Sequence, residues 1–283
     1  MKAGFNMLLW TAHVTAKHRG LLEKVKKAGY DGVEIPMFEG VPRHYAQLGR
    51  MLDELELERT VVSVVPSRDK NPISPDTAAR QAGLDYLKWV IDCSAALGAE
   101  IAGGPLHSTL GEFSGEAPTA QERKRAIGVH RKAGDYAAKK NVRIALEALN
   151  RFECYFLNTM EDLGQYLDEV DHPHITGMYD TFHANIEEAD PIGVIGKTRR
   201  HISHVHISEN NRGTPGRGHV DWASTYGALK KAKYDGWLTI EAFGRALPAL
   251  AAATKVWRDF SPTLDTVYLE GIKNIRQGWA KAS

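Results

Sequence analysis

Short apolar runs recur along the chain, and each is followed by a stretch in which apolar residues return at helical spacing. The runs cover 3–9, 32–36, 60–65, 99–103, 142–147, 175–180, 203–207 and 237–241. Near-continuous apolar character over so few residues fits strands buried on both faces, as in a parallel sheet. Between the runs, Leu21, Leu22, Val25 and Ala28 share one helical face, and so do Leu84, Leu87, Val90, Ile91 and Ala95. Ser74-Pro75-Asp76 opens a helix over 77–97, and Asp190-Pro191 opens a short one. Gly29 and Gly98 stop helices just ahead of strands.

Strand and helix alternate eight times with no Pro/Gly/Ser-rich linker between them. The pattern predicts the α/β class and a single (β/α)8 TIM barrel over residues 1–283, closed by a C-terminal helix at 262–281. The 283 residues suit one such barrel of about 250 residues. An open doubly wound sheet would want a glycine-rich turn after its first strand; Met7-Leu8-Leu9-Trp10 stands there instead.

Composition changes this picture little. Lys plus Arg is 36 and Asp plus Glu is 35, a formal charge of +1, without the basic stripe of a nucleic-acid binder. The two cysteines, Cys93 on a helix and Cys154 in a loop, are too few and too far apart for a disulfide framework or zinc ribbon. No segment has the apolar length of a membrane span, and the first residues lack a secretory pattern, so the expectation is a cytoplasmic protein.

The candidate chemistry lies at the strand ends, because barrels of this kind carry their active groups on the C-terminal rim. The fifth predicted strand ends in Glu147, the sixth in Asp180 and the eighth in Glu241, while the seventh contains His204-Val205-His206. A lone carboxylate at a strand end is commonly a helix cap or a surface charge. Four ligand-type residues at matched level on consecutive strands point instead to a divalent ion, which offsets the cost of burying them. His204 and His206 face the same side by the two-residue period of a strand. His206, nearer the strand end, is assigned to the metal; His204 is assigned to a hydrogen-bonded layer beneath it. Three carboxylates and one imidazole favour Mn2+, with Mg2+ or Co2+ as alternatives, over a thiolate-type zinc site.

Polar loops follow these ligands, and there the sequence becomes recognisable. Leu146-Glu147-Ala148-Leu149-Asn150-Arg151-Phe152-Glu153, Asp180-Thr181-Phe182-His183-Ala184-Asn185-Ile186-Glu187-Glu188, His204-Val205-His206 with Asn211-Arg212, and Tyr234-Asp235-Gly236 leading to Glu241 resemble the ketose 3-epimerase family, whose members act on tagatose, psicose and ribulose-type sugars. The resemblance is specific over 143–241 and looser before it. It implies metal ligation by Glu147, Asp180, His206 and Glu241, with Glu147 and Glu241 as the acid/base pair. It also implies substrate contacts from His183, Arg212 and Glu153, and a homo-oligomer, a dimer or tetramer. Two departures bear on the sugar rather than the metal. Ala242 follows Glu241 where the family usually has proline, and His107, taken as a substrate contact, stands where the family carries an aromatic residue.

The implied reaction is metal-dependent epimerisation of a free keto sugar at C3 through an enediolate. Alternatives on the same site are an aldose–ketose isomerase of the hydroxypyruvate- or inosose-isomerase kind, or a lyase or dehydratase acting on a 3-keto sugar or glycoside. From other classes, an AP-endonuclease-like nuclease would need several metals and a basic groove, and an inactive sugar-binding barrel should have lost a ligand. Gly213-Thr214-Pro215-Gly216-Arg217-Gly218 is either a phosphate loop or a turn shaping the rim. Trp10 is a candidate for stacking on a sugar face, with a core position as the alternative. Glu34 is either a buried acid with a partner or a support for the far hydroxyls of the sugar.

Overall fold

The structure is a computed structural model and describes residues 1–282. Its eight strands are β1 (Lys2–Asn6), β2 (Gly32–Pro36), β3 (Glu58–Val62), β4 (Ile101–Gly104), β5 (Arg143–Glu147), β6 (Ile175–Asp180), β7 (Ile202–Ile207) and β8 (Trp237–Ile240). Neighbours pair in parallel and β1 pairs with β8, so the sheet closes into the predicted barrel. The helices are α1 (Arg19–Ala28), α2 (Pro42–Glu54), α3 (Thr77–Leu97), α4 (Ala120–Ala138), α5 (Met160–Val170), α6 (Thr181–Glu187), α7 (Gly193–Thr198), α8 (Trp222–Lys231), α9 (Pro248–Ala253) and α10 (Leu264–Lys281). The last of these is the expected C-terminal helix.

Local chemistry explains the boundaries. Gly29 and Gly98 adopt left-handed φ values of 100° and 82° and end α1 and α3. Asp76 caps α3 by accepting from the Ala78 amide, and Thr119 and Glu122 form a reciprocal capping box on α4. The first strand is shorter than the apolar run suggested. Met7–Leu9 is a 3-10 turn, started by the Asn6 side chain, which accepts from the Leu8 amide. The third strand ends at Val62 rather than at 65.

Outward-facing strand residues such as Phe5, Val33, Ile144 and Val205 pack against the helices in the main apolar core. Ile101, Ala145, Met178 and Trp237 form a separate buried cluster within the barrel. Polar side chains occupy the inner face above it. A register irregularity between Gly177 and Met178 sets Met178 opposite His204 and Asp180 opposite His206. Among the described residues no helix is long and apolar enough to cross a membrane. Cys93 and Cys154 are both buried and free.

Candidate metal centre

Glu147 and Asp180 end their strands, His206 is one residue from the end of β7, and Glu241 directly follows β8. All four are buried, and each offers one ligand-type atom within 4.8 Å of the others. His206 Nδ1 lies 3.4 Å from Asp180 Oδ2, 3.4 Å from Glu241 Oε1 and 3.8 Å from Glu147 Oε1. The four residues read from the strand ends therefore meet at one point.

Asp180 serves two purposes. Its Oδ1 caps α6, accepting from the Phe182 and His183 amides at 2.6 and 3.2 Å, while Oδ2 faces the cluster and accepts from Ser208 Oγ at 3.1 Å. The helix cap and the ligand position are one side chain.

The electrostatics show what the cluster lacks. Burial, joined by the Asp180 and Glu241 carboxylates, pushes the Glu147 carboxyl well above its usual range despite His206. Burial works against ionised Asp180 as well, but Arg212 and the nearby His206 and His183 outweigh it and hold that carboxyl low. Burial would lower the His206 imidazole, yet Glu34 and Glu241 outweigh it and hold it well above its ordinary value. Glu147 Oε1 and His206 Nδ1 are buried without hydrogen-bond partners. Orphaned oxygen and nitrogen atoms among converging acids are what a hard divalent cation satisfies. The residues fit such an ion.

A deeper layer supports them. Glu34 is completely buried on β2 and is the buried acid with partners; His204 lies in the lower layer as expected, but neither of its ring nitrogens makes the hydrogen bond expected there. Glu34 Oε1 accepts from His206 Nε2 at 2.7 Å and from Asn6 Nδ2 at 3.1 Å, and Oε2 accepts from Thr60 Oγ1 at 3.0 Å. His204 Nε2 lies 2.8 Å from Oε2 but off the hydrogen-bond line. Asn6 Nδ2 also donates to Glu241 Oε1 at 3.1 Å. Sequence reasoning missed Asn6, although its place at the end of the first strand, where it pairs directly with Glu34, was a usable signal.

The remaining predicted residues divide into three groups. Arg212 and His183 join the cluster. Arg212 Nη1 donates to Glu241 Oε2 at 2.7 Å, and the guanidinium stacks on Phe182 and Phe243 at 3.8 and 4.9 Å. Burial and then Arg212 push the His183 imidazole down to about 3, so it is neutral. Its Nδ1 accepts from the Asn150 amide at 3.0 Å, which leaves the hydrogen on Nε2. That Nε2 lies 2.9 Å from Arg212 Nη2, so the imidazole and the guanidinium sit side by side at the cluster. Glu153 lies beside them, half-buried. It accepts from Asn150 Nδ2 at 2.9 Å, and burial outweighs Arg212 to raise its carboxyl.

His107 and Trp10 stand apart. His107 is fully buried; Nε2 donates to the Glu147 carbonyl at 2.8 Å, and Nδ1 accepts from the Ser108 hydroxyl at 2.9 Å. Both ring nitrogens are thus held by the protein, and the ring braces the backbone of Glu147. Trp10 packs in an aromatic group with Phe5 and Tyr268, at centroid distances of 4.9 and 5.8 Å. The glycine-rich segment after β7 is a turn wrapped around buried Glu209. Its carboxylate accepts from the Gly216 and Val220 amides and from Trp222 Nε1, while Arg217 pairs with Glu270. The Gly213 and Arg217 amides are also bonded within the segment, to Asn211 Oδ1 and the Thr214 carbonyl, which favours the turn over a phosphate loop.

Leu8, Val62, Phe243, Ala251 and Val256, with Phe38, Leu250 and Phe260, form a second apolar cluster at the same mouth. A cavity of about 520 Å³ opens at the opposite mouth, lined by Lys2, Thr60, Arg143 and Trp237 among others. It holds none of the converging acids, so the chemistry is assigned to the acid cluster and not to the cavity.

Comparison with known proteins shows what the chain is similar to. A family described as "Xylose isomerase-like TIM barrel" matches residues 22–273. A ketose 3-epimerase of Arthrobacter globiformis is 32% identical, covering 92% of this chain and 90% of its own length. An L-ribulose 3-epimerase of Methylomonas sp. (strain DH-1) is 31% identical, covering 98% and 97%. A D-allulose 3-epimerase from Methylomonas sp., solved in complex with D-allulose, superposes with a TM-score of 0.91 at 29% identity, covering 98% of this chain and 96% of that one. The closed barrel and the family match over most of its length lead to one conclusion: the chain belongs to the xylose isomerase-like TIM barrel family, with ketose 3-epimerases among its full-length relatives.

Proposed function

We propose that the protein is a divalent-metal-dependent isomerase that epimerises a free keto sugar at C3, with Mn2+ as the preferred ion and Mg2+ or Co2+ as substitutes. The observation that carries this reading is the four-residue cluster of Glu147, Asp180, His206 and Glu241, which combines a metal-ligand set with two glutamates from the ends of β5 and β8. The epimerase relatives support the choice of reaction.

When bound, the ion supplies a Lewis acid to the carbonyl end of the sugar. The residues of the chain do the rest. β5 and β8 lie three strands apart in the closed ring, so Glu147 and Glu241 approach the centre from separated directions. One glutamate removes the C3 proton, leaving an enediolate over C2 and C3; the other returns a proton to the opposite face. The roles exchange for the reverse epimer. The Arg212 guanidinium and the adjacent His183 imidazole suit negative charge developing on O2. Glu153, with its raised carboxyl, is placed to hold a neighbouring hydroxyl. The apolar group around Phe243 and Val256 suits the uncharged far end of an unphosphorylated sugar.

The test is to incubate metal-loaded protein with a panel of free keto sugars and follow formation of the C3 epimer. Chelation should abolish turnover, and Mn2+ or Co2+ should restore it. Full activity in a verified metal-free sample would overturn the metal reading.

A further inference from the structure

The metal reading leaves one buried acid without a task. Glu34 is fully buried at the middle of β2, and its carboxylate faces four side chains from three other strands: Asn6 on β1, Thr60 on β3, and His204 and His206 on β7. Both of its oxygens are occupied, so it has little capacity left for a sugar hydroxyl. Its effect must pass through the groups it holds.

We propose that Glu34 is the positioning carboxylate of the metal centre. It keeps the His206 hydrogen on Nε2 and the Nδ1 lone pair toward the ion, and through Asn6 it holds Glu241 in the same frame. This rests on the metal reading above and adds a residue that touches neither ion nor sugar. A neutral imidazole has two tautomers. With the hydrogen on Nδ1, the Nε2 lone pair would face Glu34 Oε1 at 2.7 Å, and an N–H would occupy the place of the ion. With the hydrogen on Nε2, both contacts are favourable. Asn6 Nδ2 bridges Glu34 Oε1 and Glu241 Oε1 at 3.1 Å each, so a shift of Glu34 is passed to a second ligand. Contacts of this kind around a metal-bound histidine fix its tautomer and ring orientation.

The experiment measures metal affinity rather than turnover. Mn2+ is titrated calorimetrically into metal-stripped wild type, Glu34→Gln and Thr60→Val. A glutamine at 34 keeps the shape but offers one acceptor oxygen, so it cannot receive all the donors that converge there. Its Mn2+ Kd should rise roughly 10–100-fold, while Thr60→Val, which leaves the charge, should stay within about threefold. As a second measurement, nitrogen-15 NMR of Mg2+-loaded wild type should show the His206 hydrogen on Nε2. A folded Glu34→Gln that binds Mn2+ within about threefold of wild type, or a His206 hydrogen on Nδ1, overturns the proposal. If Glu34→Gln does not fold, the wild-type spectrum decides alone. If wild type itself takes up no divalent ion, the metal reading falls, and that result is distinct from equal binding by wild type and variant.

Discussion

Asp180 unites two uses of a strand-end carboxylate: Oδ1 starts α6 and Oδ2 enters the cluster. Substitutions can separate them. Asparagine caps a helix about as well as aspartate. Asp180→Asn should therefore keep the start of α6 and lose most of the metal affinity, whereas Asp180→Ala should lose both. Urea unfolding in excess chelator should find the alanine variant less stable than the asparagine variant by about 1 kcal/mol; equal stability would remove the cap from the account. Arg212 offers a second test. Its guanidinium lies between Phe182 and Phe243 and reaches Glu241 and His183 together. A lysine cannot reproduce a planar, forked donor. At saturating metal, Arg212→Lys should lower kcat by roughly 100-fold or more, with a smaller change in KM. The four candidate ligands were legible because Glu147, Asp180 and Glu241 close apolar runs and His206 lies one residue from the end of another. The roles of Glu34 and Asn6 were not, because a buried acid is defined by its partners. The histidine held by Glu34 lies 172 residues away in sequence.

The elements that hold these side chains were predicted well where apolar runs end in a turn signal, and less well elsewhere. β1 was read as far as residue 9 because Met7, Leu8 and Leu9 continue its apolar character. Hydrophobicity does not separate a buried strand from a buried 3-10 turn, and the break is made by the Asn6 side chain. The β4 loop depends on Gly104, whose φ is 122° and where a Cβ would lie 2.2 Å from the Ser63 carbonyl oxygen. That turn delivers Leu106, whose carbonyl accepts from His130 Nε2 on α4, and then His107, which braces Glu147. Burial pushes His130 down to about 4 and His107 to about 3, from the ordinary 6.5. Both are neutral in the folded protein near pH 7. The unfolded chain takes up these protons first, so the stability linked to them is complete above the unfolded value and is lost as pH falls from 6.5 toward the folded values. The slope should be at most about 1.4 kcal/mol per pH unit for each histidine. Unfolding of metal-free protein near pH 7.5 and near pH 5 should show that loss, and His130→Gln should flatten part of it; a flat wild-type profile would contradict this.

For the molecule as a whole, closure of the barrel decides what the site can do. The alternation of eight apolar runs with helical stretches was enough to foresee it, and the β1–β8 pairing completes it. Closure brings acids on β5, β6 and β8 to one depth, with the apolar group of Phe243 and Val256 at the same mouth and the glycine-rich turn occupied by Glu209. In that turn the Gly213, Gly216 and Arg217 amides are already bonded within the protein and do not offer themselves to a terminal phosphate. kcat/KM should therefore be higher for a free keto sugar than for its terminal phosphate ester; a tenfold reversal, about 1.4 kcal/mol, would assign the protein to sugar phosphates. Exchange of the C3 proton between two glutamates is the central claim, and Glu147→Gln and Glu241→Gln should each lower kcat by more than the ~10²–10⁴-fold typical of acid–base loss, because each also weakens the metal site. The most direct measurement is turnover in D2O by the Mn2+-loaded protein with the best sugar of the panel, reading the position of solvent hydrogen in the product. The predicted result is an epimer carrying deuterium at C3 and none at C1. Deuterium at C1 would contradict it and indicate proton transfer between C1 and C2.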